Sequence, residues 1–132
     1  MRSALRMLEA DPDLGIALVE SQLLGALMLA PYLRLHGSLQ TLRPEDFASP
    51  HRGVAFAAIM LERRPEIGLV VHRLEEGGHR PPHNRTGWGD ALSRLLDVAL
   101  VDDEAVPEAV RAIKEAAIAR RAAARLRRPD AA

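Results

Sequence analysis

An all-α fold is the class this sequence predicts, and three observations predict it. Apolar residues recur at three- and four-residue spacing along five stretches, and no stretch reads convincingly as a strand. The apolar fraction is 48%, and only Tyr32, Phe47, Phe56 and Trp88 are aromatic, so the core must be built from aliphatic side chains, with the helix formers Ala and Leu prominent among them. Proline and glycine punctuate the gaps, at Pro31, Arg43-Pro44, Pro65 and Gly77-Gly78. The expected architecture is a small bundle of about five to six helices ending in a long antiparallel helical hairpin. Residues 1–13 read as an N-terminal extension and 14–126 as one helical domain. That domain divides into a globular part (14–76), a loop (77–87) and the hairpin (88–126), with 127–132 as a tail.

The first helix is expected over Leu14–Leu29. Ile16, Val19, Leu23, Ala26 and Leu27 share a face that Leu18, Leu24 and Met28 widen, so the helix should be buried on most sides. Asp11 or Asp13 is placed to cap it, with Pro12 in its first turn. Gly25, costly inside a helix, suggests that another helix approaches closely. The second helix is expected from Pro50 to about Arg63, capped by Ser49 and ended by Pro65. The third spans Ile67–Glu76 and stops at Gly77-Gly78.

The fourth helix is expected from Trp88 to about Leu100, with a stripe of Leu92, Leu95, Leu96 and Ala99. A two-residue link, Val101-Asp102, leads into the fifth, which runs to about Leu126. Asp102 is an apt N-cap, and Val101 with Val106 fits a hydrophobic staple. So short a link predicts an antiparallel pair. A second stripe on the fifth helix, Ala109, Ala112, Ala116, Ala119 and Ala123, suits close approach of a neighbour from the same chain or a second copy. On that reading Ala109, Ala112, Ala116 and Ala119, with Leu92 and Leu95, form a self-association surface, and Ala112→Glu should weaken it.

Several classes of function are disfavoured. Eighteen basic residues balance eighteen acidic ones, which is not the signature of a uniform nucleic-acid coater. There are no cysteines, so disulfides, Cys-zinc sites and thiol catalysis are excluded. The most apolar run, Leu23–Ala30, is far shorter than the ~20 residues a bilayer span needs, and Met1–Ala10 lacks an export signal, so a cytoplasmic protein without membrane partners is expected. No phosphate-binding loop appears, and no nucleophile sits beside a base, so no catalytic residue and no cofactor are expected. His79 and His83 have metal-pair spacing, but they flank Pro81-Pro82 without cysteines or an acidic cluster and read as solvated; no metal is expected. The one charge imbalance is Arg111–Arg128, with seven basic residues against Glu115. Arg120, Arg121, Arg125, Arg127 and Arg128 could contact nucleic acid, which leaves a small DNA-binding or regulatory protein as the alternative reading.

Five segments in order carry a family resemblance. Val19-Glu20-Ser21-Gln22-Leu23-Leu24-Gly25-Ala26-Leu27-Met28-Leu29 resembles the first-helix signature of the N-terminal domain of DnaB-type replicative DNA helicases. Leu42-Arg43-Pro44-Glu45-Asp46-Phe47 is similar to that family's L-x-P-E-D-F turn. His51-Arg52 with Phe56, Ala58 and Ile59 is similar to its next helix, and Leu69–Gly77 to the segment after it. Ala109–Glu115 with Arg120-Arg121 resembles its last helix. The likeness spans about Leu14–Leu126. One extra residue separates His51-Arg52 from Phe56, and Glu108 stands where the family carries an aromatic.

The resemblance implies a noncatalytic module for oligomerisation and protein docking in DNA replication. In the family, hairpins pair into dimers, dimers build the collar of a hexameric ring, and the domain docks the helicase-binding domain of primase. The expected partners are therefore the chain itself, as dimer or ring, and primase, a replicative helicase or its loader. The RecA-like ATPase domain that follows in the family is absent from this sequence, so the chain is expected to be either an excised fragment or a standalone module, in both cases without helicase activity of its own. His51, Arg52, Glu45 and Asp46 are the candidate partner surface.

Overall fold

The computed structural model describes residues 6, 10–83, 85–100 and 102–127. Among them are five α-helices and no β-strand: α1 Pro12–Leu29, α2 Pro50–Leu61, α3 Ile67–Glu76, α4 Trp88–Asp97 and α5 Val106–Leu126. Four short 3-10 segments, Pro31–Leu35, Gly37–Thr41, Pro44–Asp46 and Asp103–Ala105, carry the chain around corners. The all-helical class expected from the sequence is what forms.

α1 is the axis of the fold. Asp11 caps it, its Oδ1 accepting from Leu14 N at 3.3 Å, and Pro12 occupies the first turn, where a missing N–H costs nothing. Val19, Leu23 and Leu24 have no exposure, and Ala26 and Leu27 almost none. The helix is apolar on nearly every side because α2, α4 and α5 all pack on it. By length and composition alone it could cross a membrane, but more than half of it is buried inside the fold, as a core helix would be.

Gly25 marks the closest approach. A Cβ there would lie 2.1 Å from the Leu95 carbonyl oxygen and 2.9 Å from the Ala99 Cβ, so the end of α4 crosses α1 where the side chain is missing. Just beyond, Leu100 N donates to the Gln22 carbonyl at 3.1 Å, pinning the chain after α4 to the middle of α1. The close approach expected at Gly25 is thus met by α4.

The terminal helices differ from the expected hairpin. α4 stops at Asp97 rather than near Leu100, and the 3-10 turn Asp103–Ala105 precedes α5, so the connection runs from Val98 to Ala105. A connection that long frees the two helices to seat separately, and each packs mainly on α1 instead of along the other. Asp102 does cap, its carboxylate accepting from Glu104 N at 3.0 Å, but it caps the 3-10 turn. The expected staple involves Val101, which lies outside the described residues. α2 ends at Leu61, two residues earlier than expected, and Ser49 stands at its cap position without a side-chain bond.

The loop from Gly77 is closed from its far end. Gly78 adopts φ +74°, the left-handed conformation glycine takes at no steric cost, and His79 N donates to Leu74 O at 3.1 Å, completing the helix stop. The buried Trp88 donates its indole N–H to the His79 carbonyl at 2.9 Å. Elsewhere, Tyr32 donates to Asp103 Oδ2 at 2.5 Å, joining the 3-10 turn after α1 to the one before α5.

Gly25→Ala tests the crossing. The new methyl meets backbone rather than a mobile side-chain tip, so the helices must separate. We expect a loss of about 1–3 kcal/mol in urea denaturation, despite the gain in intrinsic helix propensity.

Candidate interaction site

Polar residues from several of the resembling segments converge around the turn Pro44–Asp46 and the first turn of α2. α1 carries a carboxylate, Glu20, with zero exposure. A lone buried charge would cost several kcal/mol, so its partners decide what packs there. Arg52 Nε meets Glu20 Oε1 at 2.7 Å, and Ala48 N donates to Glu20 Oε2 at 2.7 Å. Both oxygens are therefore bound, one by α2 and one by the segment just before it.

Asp46 organises the neighbouring turn. Its Oδ2 accepts from Arg43 N at 2.9 Å, and its Oδ1 accepts from Arg121 Nη2 at 2.8 Å. Arg121 also reaches the Glu45 carbonyl at 3.4 Å, and Arg120 donates to the carbonyls of Asp46 and Phe47 at 3.2 and 3.3 Å. The turn is thus clamped by two successive arginines of α5. Gly53 lets α2 press on it, since a Cβ there would sit 2.5 Å from the Pro44 carbonyl oxygen. Burial pushes the Asp46 carboxyl up, but the Arg43 N–H, the Arg121 guanidinium and the nearby Lys114 ammonium outweigh it and hold the group below its ordinary value of 3.8.

These contacts revise the roles expected of the candidate residues. Asp46 is buried and committed to Arg43 and Arg121, and Arg52 spends its Nε on the buried Glu20 while the rest of its guanidinium stays partly exposed, so both hold the surface in place. Glu45 is exposed and His51 half-exposed, and both remain accessible. The expected self-association stripe divides. Ala109 and Leu92 have no exposure and belong to the core, packed there by α1, which corrects their assignment to an interface. Ala112, Ala116 and Leu95 are half-buried against the core, so Ala112→Glu would strain the fold before it touched an interface. Ala119 is exposed, as are Ile118 just before it and Leu126 farther along the same helix. The basic cluster divides as well: Arg120 and Arg121 hold the turn, Arg125 and Arg127 are exposed, and Arg128 lies outside the described residues.

Sequence reasoning missed Glu20 as a site residue. Its signal was there: one acid on an otherwise apolar helix has to find a partner in the core. With this geometry in hand, comparison with protein-family models, curated proteins and solved structures finds no match.

Two measurements probe the clamp. Arg52→Ala strands the Glu20 carboxylate and should cost about 3–5 kcal/mol in chemical denaturation, whereas Glu20→Gln/Arg52→Ala should cost clearly less, because no charge is left uncompensated. Asp46 has a lowered native value, so its contribution is complete above 3.8 and is lost as pH falls through the native value. Asp46→Asn should therefore be less stable than the wild type at neutral pH, and melts at decreasing pH should show that gap narrowing below about pH 4.

Proposed function

We propose that this protein is a noncatalytic interaction module of the kind found at the N-terminus of DnaB-type replicative helicases, acting in DNA replication by docking primase, a helicase or its loader. The observation that supports the reading is how the resembling segments pair. The acid of the first-helix segment, Glu20, bonds the arginine of the His51-Arg52 segment, and the aspartate of the Pro44-Glu45-Asp46-Phe47 turn bonds the second arginine of the last-helix segment. Residues that match the family segment by segment are also the ones that hold these segments together.

Two accessible regions serve docking in this reading. One is the surface beside the clamped turn, with Glu45 and His51. The other is the C-terminal half of α5, where Ala119, Ile118 and Leu126 are exposed and where a second copy would pair to give the dimer or ring, with hairpin-like packing arising between chains. Direct nucleic-acid contact is the weaker reading, because two of the described arginines in the cluster already serve the turn.

Light-scattering mass after size exclusion tests the proposal, for the chain alone and mixed with a primase helicase-binding domain from the same host. A dimer or larger assembly that gains mass with the primase domain is the expected outcome. A monomer that ignores that domain, a helicase and a loader would refute it. Ala119→Glu places a charge on an exposed position of α5 and should shift the oligomer toward monomer without lowering the melting temperature.

A further inference from the structure

A cleft of about 160 Å³ opens between the first turn of α2, the middle of α1, α4 and the Pro82-His83 end of the loop. Its inner surface is apolar, formed by Ala55, Ala91 and Leu95, and Trp88 makes one wall. The His51 ring stands across from Trp88, with ring centroids 6.3 Å apart.

The polar lining is biased toward donors. Arg52 spends its Nε on Glu20, and among the described residues neither of its terminal nitrogens has a hydrogen-bond partner. Its side chain is 24% exposed, and the buried Glu20 holds it in place at the cleft. Arg94 lies on the same rim, and the one carboxylate of the lining, Asp90, is already engaged by Arg94 at 3.1 Å. A guanidinium whose fork is half used and whose orientation is fixed is well placed to bind a second carboxylate.

We propose that this cleft binds a small aromatic monocarboxylate, its ring lying against Trp88 and Ala91 and its carboxylate on the terminal nitrogens of Arg52. A cation finds no free acid there, and a neutral ring leaves the Arg52 donors unused. The site does not depend on the docking role proposed above, and its test stands apart from the primase experiment.

Benzoate is the probe, and Trp88 is the reporter because it is the only tryptophan in the chain. Its indole N–H gives a single resonance in the tryptophan side-chain region of a nitrogen-correlated NMR spectrum. That resonance should shift saturably, with half-saturation at about 1 mM, the scale for a ligand of this size with one charge-assisted contact. Benzyl alcohol, which keeps the ring and lacks the charge, should bind at least about tenfold more weakly. Arg52→Lys keeps one nitrogen for Glu20 and none for the ligand, so benzoate affinity should fall about tenfold. Ala91→Leu fills the inner surface and should abolish the shift while the protein stays folded. No saturable shift with benzoate would overturn the proposal. So would equal binding of benzyl alcohol, or undiminished binding by a folded Ala91→Leu protein.

Discussion

A carboxylate with no access to water sits in the middle of an otherwise apolar helix, and the arrangement of the neighbouring elements follows from satisfying it. Glu20 needs a cation and an N–H at fixed positions, and Arg52 and Ala48 supply them. That requirement sets where α2 begins, and with it the turn that precedes α2. The turn then presents Asp46 and two carbonyls to the end of α5, where Arg120 and Arg121 meet them. One buried charge thus links α1, α2 and α5, which are separated widely in sequence. Apolar packing alone would tolerate rotations of α2 about its axis; the pair of bonds on Glu20 selects one of them.

The crossing at Gly25 complements this. There the constraint is steric rather than electrostatic, because the α4 backbone occupies the space a side chain would fill. Polar bonds therefore position α2, and the absence of a Cβ positions α4. The aliphatic core fills what lies between, with the tilted rings of Phe47 and Phe56 in contact at a 5.0 Å centroid separation.

Much of the fold was legible in the sequence. Helical spacing located all five helices, Asp11, Pro12 and Gly77-Gly78 marked ends that the structure uses, and Gly25 was read as a place of close approach. What was not legible is pairwise. The stripe on α5 looks alike from end to end in one dimension, yet Ala109 is buried, Ala112 and Ala116 are half-buried against the core, and Ala119 is exposed. The link between α4 and α5 was read as two residues because Leu100 and its neighbours continue an apolar pattern; a backbone bond to Gln22 takes Leu100 out of the helix. The site was legible as a set of residue types and illegible as a network. His51, Arg52, Glu45 and Asp46 were grouped as a surface, and nothing in their spacing revealed that Arg52 points at α1 or that Asp46 points at α5.

The central position of α1 has a consequence for how the chain is made. Of the described helices this one is synthesised first, and α4 and α5, which cover much of it, follow only after α2 and α3. At a synthesis rate of ~5–20 residues per second, its apolar flanks wait on the order of 5–20 s before the residues that bury them exist. Throughout that interval it is an 18-residue, mostly apolar segment without the cover that α4 and α5 give it. Nascent chains stalled before Trp88 should therefore be held by chaperones, and release should come only when the C-terminal helix has emerged.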